Sequence, residues 1–252
     1  MKITVATVCY NAGDCIGKTI ESVINQTYAD IEYLIIDGAS SDDTMLIVKG
    51  YAVEDDRIKT VSEPDEGLYD AMNKAACMAS GDYIIYMNAG DTFASSTALK
   101  ETVKMIGNVS GTGKYPDVVY GNVIRIKPDS TYVESYRSNK PLLKLLLTGN
   151  IPSHQSTLTK TAIMREYGFD LSYSITADFD FYVRAYASKL NIRYLRVTIG
   201  CVDNTAGLSS DSNNLETMRS EDDRSLRQNL PLWYYLTIAL KKAYRLFKRH
   251  KI

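Results

Sequence analysis

Polar and acidic side chains recur where short β-branched runs of this chain stop. The run over residues 3–8 holds Thr7 and leads to Tyr10 and Asn11. The run over 31–36 stops at Asp37, and that over 57–61 leads to Glu63 and Asp65. The run over 83–87 leads through Asn88, Ala89 and Gly90 to Asp91. In an open α/β sheet the carboxyl ends of neighbouring strands border one ligand crevice. Carboxylates crowded there resist ionisation unless something positive sits among them. A divalent cation carrying a nucleoside diphosphate would meet that need. Asp178 and Asp180 open a later helical stretch. Two apart on a helix, they cannot face the same way, and spacing alone reads Asp178 as readily as a helix cap.

The elements that must position these groups follow from periodicity. Between the strands, helical spacing runs over residues 14–26, 45–53 and 68–79, the last closed by Ser80-Gly81. Strands alternating with helices at this spacing predict a mainly parallel, Rossmann-like sheet with right-handed crossovers, flanked by helices. Further on, helices are expected over 97–106, 142–147, 161–167 and 178–190, and strands over 117–126, 130–136 and 192–199. A polar loop over 201–214 and a charged helix over 215–229 follow, and 231–252 is the final segment. The expected division is a main domain over 1–205, with halves 1–110 and 111–205. Residues 206–252 form a loop and a C-terminal helical appendage.

Composition narrows the class. Lysine plus arginine total 29 against 30 aspartate plus glutamate, so bulk charge favours no nucleic-acid partner. Four scattered cysteines have no metal-ligand spacing and fit a reducing cytoplasm; two histidines make a histidine-rich metal site implausible. The apolar start is too short for an export signal, and no run approaches the roughly 20 residues of a bilayer span.

Taken in order, Thr7-Val8-Cys9-Tyr10-Asn11, the run from Ile35 to Thr44, the run from Glu63 to Lys74, the run from Gly81 to Asp91, Ser153-His154-Gln155-Ser156 and Ala177-Asp178-Phe179-Asp180 resemble a family 2 glycosyltransferase with the GT-A fold. The resemblance spans roughly residues 1 to 205, and implies that this is the catalytic domain, with 1–110 as its nucleotide-sugar-binding half and 111–205 as its acceptor half. It implies a nucleotide-sugar donor (UDP first, GDP or dTDP as alternatives), a Mn2+ or Mg2+ ion and inversion at the anomeric carbon. Carried over by position, Thr7, Tyr10 and Asp37 would hold the nucleoside, with Asp37 facing the base. Glu63 and Asp65 would line the same pocket, with Asn11, Gly67, Asn88, Ala89 and Gly90 as further donor-side positions. Asp91 would hold the metal, Asp178 would be the inward-facing general base, and His154 and Gln155 would floor the donor–acceptor cleft. The family's metal motif usually carries two or three acids; here only Asp91 remains, as in a subset that builds bacterial polysaccharides. Metal affinity without nucleotide is therefore expected to be low. The implied acceptor is a glycan or polyprenyl-linked glycan, in a setting such as O-antigen assembly.

Bland readings stand beside these. Asp42 reads as a cap, Lys74 as a solvated lysine, and Gly111-Thr112-Gly113-Lys114 as a surface turn rather than a phosphate loop. Tyr132, Tyr136 and Tyr173 are candidates to stack on sugar rings. The last 22 residues interleave Trp233, Tyr234, Tyr235, Leu236, Tyr244 and Phe247 with Lys241, Lys242, Arg245, Lys248, Arg249 and Lys251. That pattern suits a helix lying on an anionic membrane surface, and so a peripheral protein on the inner face of the cell membrane. Packing on protein is the alternative, and the sequence leaves oligomeric state open. A non-catalytic nucleotide-sugar-binding protein and a sugar nucleotidyltransferase are the rival functions. The second lacks its basic, glycine-rich loop, because Asn11-Ala12-Gly13-Asp14 stands there instead.

Overall fold

Strict alternation along the first strands sends side chains to two opposite cores. A computed structural model describes residues 1–110, 113–136, 151–203, 212–236 and 238–239. Strand β1 (Ile3–Cys9), helix α1 (Ile16–Ile24), β2 (Ile31–Asp37), α2 (Thr44–Glu54), β3 (Ile58–Ser62), α3 (Leu68–Met78) and β4 (Tyr83–Tyr86) form the first half. Then come β5 (Thr92–Phe93), α4 (Ala98–Val109), β6 (Val118–Lys127), β7 (Ser130–Glu134), a 3-10 turn (His154–Ser156), β8 (Thr157–Lys160), α5 (Thr161–Tyr167), α6 (Ala177–Ala187), β9 (Ile192–Asp203) and α7 (Leu215–Asn229). Ile3, Val5, Tyr33, Ile35 and Ile85 pack beneath Ile16, Ile20 and Val23 of α1 and Leu99 and Ile106 of α4. Ala6, Val8, Leu34, Ile36 and Ile84 pack on the other face against Met72 and Ala75 of α3, Met164 of α5 and Phe181 of α6.

The strand order is β3-β2-β1-β4-β8-β6-β9-β5, with β7 on β6. Strands β1 to β4 pair in parallel, as expected, and so do β6 and β9. The second half is mixed: β8 runs antiparallel to β4 and β6, β7 to β6, and β5 to β9. Register matters more than order. Cys9 pairs with Asp37, and Asp37 with Ser62, so three strands end level. Met87 N–H still bonds to Ala6 C=O and Ala89 N–H to Val8 C=O, which brings the 88–91 turn to the same rim.

Boundaries shift by a few residues, and four differences are substantive. Strands β5 and β8 are missed by periodicity because they are two and four residues long. Strand β9 runs to Asp203 and absorbs the start of the expected loop. Helix α7, part of the expected C-terminal appendage, packs on α6, and its Glu221 and Ser225 are buried. The expected helix over 142–147 and the basic residues of the tail lie outside the described residues.

At the opposite, amino end of the strands, Glu32 joins four segments. It accepts hydrogen bonds from Thr4 Oγ1 (2.8 Å), Lys59 Nζ (2.8 Å) and Ser80 N and Oγ (2.6 and 2.8 Å). Burial alone would raise its pKa, but these bonds win and hold it near 2 against 4.5 unperturbed. A folded pKa below the unfolded one stabilises the fold above about pH 4.5 and ceases to do so as pH falls toward 2. The shift corresponds to roughly 3 kcal/mol at neutral pH. Glu32→Gln is expected to lower Tm by several degrees at pH 7, with the gap to wild type closing on acidification. Thermal melts between pH 7 and pH 2.5 check this; a gap independent of pH would contradict it.

Candidate functional site

The turn after β4 is built around one glycine. Asp91 N–H bonds to Asn88 C=O at 2.9 Å, closing a four-residue turn in which Gly90 has φ +96°. That left-handed value at the third position is the one a type II turn assigns to glycine. Thr19 of α1 fixes the turn from below: its Oγ1 accepts from Gly90 N–H (2.9 Å) and donates to Asp91 C=O (2.8 Å). Asp91 is therefore presented at a set place, only 7% exposed. Its Oδ2 accepts from Gln155 Nε2 at 2.6 Å and its Oδ1 from Asp203 N–H at 3.2 Å. Burial raises its pKa above the ordinary carboxylate value, although Gln155 and the nearby His154 and Lys18 pull the other way.

Across the cleft, Asp178 stands in the first turn of α6 with its side chain 25% exposed. Its Oδ2 is 3.6 Å from His154 Nδ1, and Tyr69 Oη lies 3.4 Å from its Oδ1. His154 Nε2 is 3.0 Å from Asn88 Nδ2. With the Asn88 amide donating, Nε2 is the acceptor and the ring proton sits on Nδ1, facing Asp178. Asn88 Oδ1 is buried and has no hydrogen-bond partner among the described residues. Asn88, His154 and Asp178 thus form a continuous polar line from the turn to α6. Asp180 turns away as expected: it is 1% exposed, bound to Arg184 Nε (2.6 Å) and Ser225 Oγ (2.7 Å). Phe181 and Val183 are buried beside it. Asp222 of α7 also lies near Asp178; burial first, then the surrounding acids, push its pKa up to about 7. A cavity of about 20 Å³ lies behind His154 and Asp178, between Tyr86, Thr157 and Phe181. It has room for roughly one water and none for a sugar.

The other end of the rim is more open. Tyr10 is 66% exposed. A Cβ on Gly38 would fall 2.5 Å from Asp65 Oδ2 and 3.4 Å from the Tyr10 ring, so only glycine lets those two side chains close over β2. Asn11 adopts φ +46° and accepts from Ser41 N–H at 2.9 Å, which sets the loop after β1 against the loop after β2. Asp65 Oδ1 accepts from Gly67 N–H at 2.9 Å. Asp37 is wholly buried, accepting from Ser40 N–H (3.0 Å), Ser40 Oγ (2.5 Å) and Ser62 Oγ (2.6 Å). It braces the pocket wall from within. Glu63 is exposed and pairs with Lys74 at 3.2 Å; Lys74 also meets Asp70, so it is not a solvated lysine. Asp42 acts as the cap that its position predicts, accepting from Thr44 N–H (3.0 Å) and Gly13 N–H (2.9 Å).

Three expectations need correction. Thr7 does not face the rim: it is fully enclosed, and its hydroxyl is bonded to Tyr33 Oη at 2.9 Å. The strand alternation that buries Val5 and Cys9 buries Thr7 with them. Gln155 does not floor the cleft as an open side chain; it is 5% exposed and spent on Asp91. Tyr136 and Tyr173 are 2% exposed and cannot stack on a ligand, whereas Tyr132 is 42% exposed. Sequence reasoning missed Thr19, Tyr69 as a contact of Asp178, and Asp203. Their partners lie 72, 109 and 112 residues away, and no local motif marks them.

Comparison with known proteins agrees with this geometry. The family profile described as glycosyl transferase family 2 matches residues 4–170. A PGL/p-HBAD biosynthesis glycosyltransferase of Mycobacterium bovis is 28% identical over 203 residues, covering 79% of this chain and 76% of its own. An uncharacterized glycosyltransferase of Mycobacterium tuberculosis is 30% identical over 187 residues, covering 73% and 68%. Among solved structures, residues 1–349 of Staphylococcus aureus TarS in complex with UDP-GlcNAc superpose with a TM-score of 0.69 at 18% identity, over 91% of this chain and 68% of that one. A mannosyltransferase from Pyrobaculum calidifontis in complex with GDP-Man and Mn2+ gives 0.62 at 15% identity, over 96% and 75%. The fold is that of the GT-A enzymes, and the nucleotidyltransferase reading falls away. The family profile covers well over half of this chain: it is a glycosyltransferase and belongs to glycosyl transferase family 2.

Proposed function

We propose that the chain transfers a sugar, with inversion, from a nucleoside-diphosphate donor to a hydroxyl of a glycan or lipid-linked glycan. The observation that supports this most is the line Asn88–His154–Asp178, with one imidazole reaching both the turn that carries Asp91 and the helix that carries Asp178. The nucleoside would lie along Tyr10, Gly38 and Asp65, where an exposed ring flanks a glycine floor. Its diphosphate would reach the 88–91 turn. TarS and the mannosyltransferase, which share the fold, were solved in complex with UDP-GlcNAc and with GDP-Man and Mn2+. UDP is the first expectation, with GDP and dTDP as alternatives.

The residues fit a divalent cation of the hard Mn2+ or Mg2+ kind. Burial makes the Asp91 charge costly, which a cation would offset, and Asn88 Oδ1 is an unpartnered buried oxygen in the same turn. No group of three acidic, histidine or cysteine side chains placed to hold a metal ion by themselves occurs among the described residues. Asp91 would therefore share the ion with phosphate oxygens and water. When bound, the ion supplies charge neutralisation to the leaving diphosphate. The chain's own residues supply the rest. Asp178 Oδ2 accepts the proton of the acceptor hydroxyl as its oxygen bonds to the anomeric carbon, while the bond from that carbon to the diphosphate breaks. Attack from the Asp178 side, opposite the departing group, inverts the centre. His154 keeps its Nδ1–H toward the carboxylate and thus orients it.

Asp178→Asn is expected to retain donor binding and to lose transfer by at least about 100-fold. Asp91→Asn is expected to lose manganese-dependent donor binding as well. Nucleotide titrations followed by single-turnover transfer assays separate the two. Full transfer by Asp178→Asn would remove it as the base.

No helix among the described residues is long and apolar enough to cross a membrane. Just after α7, Leu232, Trp233, Tyr235 and Leu236 are between 42% and 78% exposed. Together with the basic tail, they support peripheral attachment to an anionic surface, where a lipid-linked acceptor would be presented. In the same scheme, residues 1–205 carry the groups that meet donor and acceptor, and within 206–252 the segment after α7 carries the attachment. Deleting residues 231–252 should abolish co-sedimentation with phosphatidylglycerol vesicles; unchanged sedimentation would refute the attachment.

A further inference from the structure

The base-bearing turn of α6 is held from outside α6. A helix start leaves its first N–H groups without intrahelical partners, and Thr176, which caps α6, makes no side-chain cap bond to the helix. Instead a single carboxylate from α7 gathers the approach to the helix. Glu221 Oε1 accepts from Ser174 N–H (2.7 Å) and Ser174 Oγ (2.8 Å). Its Oε2 accepts from Ile175 N–H (3.1 Å), Thr176 N–H (2.9 Å) and Thr176 Oγ1 (3.1 Å). Glu221 is only 9% exposed, and among the described residues no lysine or arginine forms an ion pair with it. Five donors from three consecutive residues do the work a cation would otherwise do. Burial alone would raise the Glu221 pKa, yet these bonds lower it, so the group is ionised at neutral pH.

The neighbouring turns of α7 grip the same segment. Arg224 lies 3.7 Å over the Tyr173 ring and donates to Ser172 C=O at 2.9 Å. Ser225 donates to Asp180, one turn of α6 from the rim. From the opposite side, Tyr69 Oη donates to Ile175 C=O at 2.6 Å and lies within reach of Asp178. The backbone two to four residues before Asp178 is thus pinned at its N–H groups by Glu221 and at a carbonyl by Tyr69.

We propose that Glu221 is a positioning residue for transfer: its carboxylate fixes residues 174–176 so that Asp178 meets His154 and the incoming hydroxyl. This rests on the reading of Asp178 as the base. Glutamine at 221 keeps the length but turns one acceptor oxygen into an NH2 donor, which faces other donors and must be displaced. A shift of about 1 Å at a reacting group can cost on the order of 100-fold in rate. The donor rim, built on β1 to β4, would be untouched.

The test compares wild type, Asp178→Asn, Glu221→Gln, Glu221→Asp and Ser225→Ala in steady-state transfer and in manganese–UDP titration. Glu221→Gln is expected to lower kcat on the order of 100-fold while donor KM and UDP affinity stay within about twofold. Glu221→Asp, which keeps the charge on a shorter arm, should recover part of the rate. Ser225→Ala loosens α7 on α6 without touching the five bonds and should lose stability with little change in kcat. If Glu221→Gln does not melt cooperatively, the Ser174→Ala/Thr176→Val double variant, which removes two of the five donors, should show a smaller kcat loss at unchanged KM. A full kcat in whichever of these two variants folds, with Asp178→Asn inactive, would overturn the inference alone. So would equal kcat losses in Ser225→Ala and Glu221→Gln, or parallel loss of donor binding. Active Asp178→Asn would overturn the base reading itself.

Discussion

The hydrogen bond from Gln155 to Asp91 is where the two halves of the sheet meet at the site. A carboxylate 7% exposed is costly to ionise, and its neighbours must compensate. Here one neighbour comes from the turn before β8 and another, the Asp203 N–H, from the end of β9. Both lie in the mixed second half of the sheet, while Asp91 follows the last parallel strand of the first half. The same 3-10 turn that supplies Gln155 supplies His154, which reaches Asn88 and Asp178. If that turn moved, the donor rim and the base helix would lose their common reference.

Rigidity is distributed accordingly. The donor rim is set by strand register and by short loop-to-loop bonds such as Ser40 and Ser62 to Asp37. Helix α6 is set by side chains from α3 and α7 that hold its approach segment. Neither arrangement depends on a disulfide: all four cysteines are free. Family membership fixes the reaction class, and the particular sugars are chosen by side chains that differ among enzymes sharing the fold.

Much of this was legible in the chain. The β-branched runs and helical spacings gave β1 to β4 and α1 to α3, because parallel strands buried on both faces must read as continuous apolar runs. The resemblance located Asp91, His154 and Asp178, which the structure links through Asn88 and Gln155, whereas Asp180 turns away into the contact with α7. What stayed hidden depended on contacts distant in sequence. Thr7 looked like a rim residue because it sits near a strand end; alternation places it under the sheet with Tyr33. Gln155 looked like a cleft residue, and only three-dimensional packing shows its partner to be Asp91. Strand β8 is four residues, too short for a period, and is a strand because Ile84 and Val118 flank Thr159 on either side. Helix α7 read as a charged helix, and its buried Glu221 and Ser225 become intelligible only when α6 is in place.

The central claim is that the turn at Asp91 and the carboxylate of Asp178 face one another across a bound donor. Anomalous diffraction at the manganese edge, from crystals soaked with Mn2+ and UDP, GDP or dTDP, tests it most directly. The account predicts one manganese peak in coordination contact with Asp91 and the diphosphate, and Asp178 across the space left for the sugar. A nucleotide seated away from the 88–91 turn, a manganese peak remote from Asp91, or an Asp178 side chain turned out of that space would contradict it.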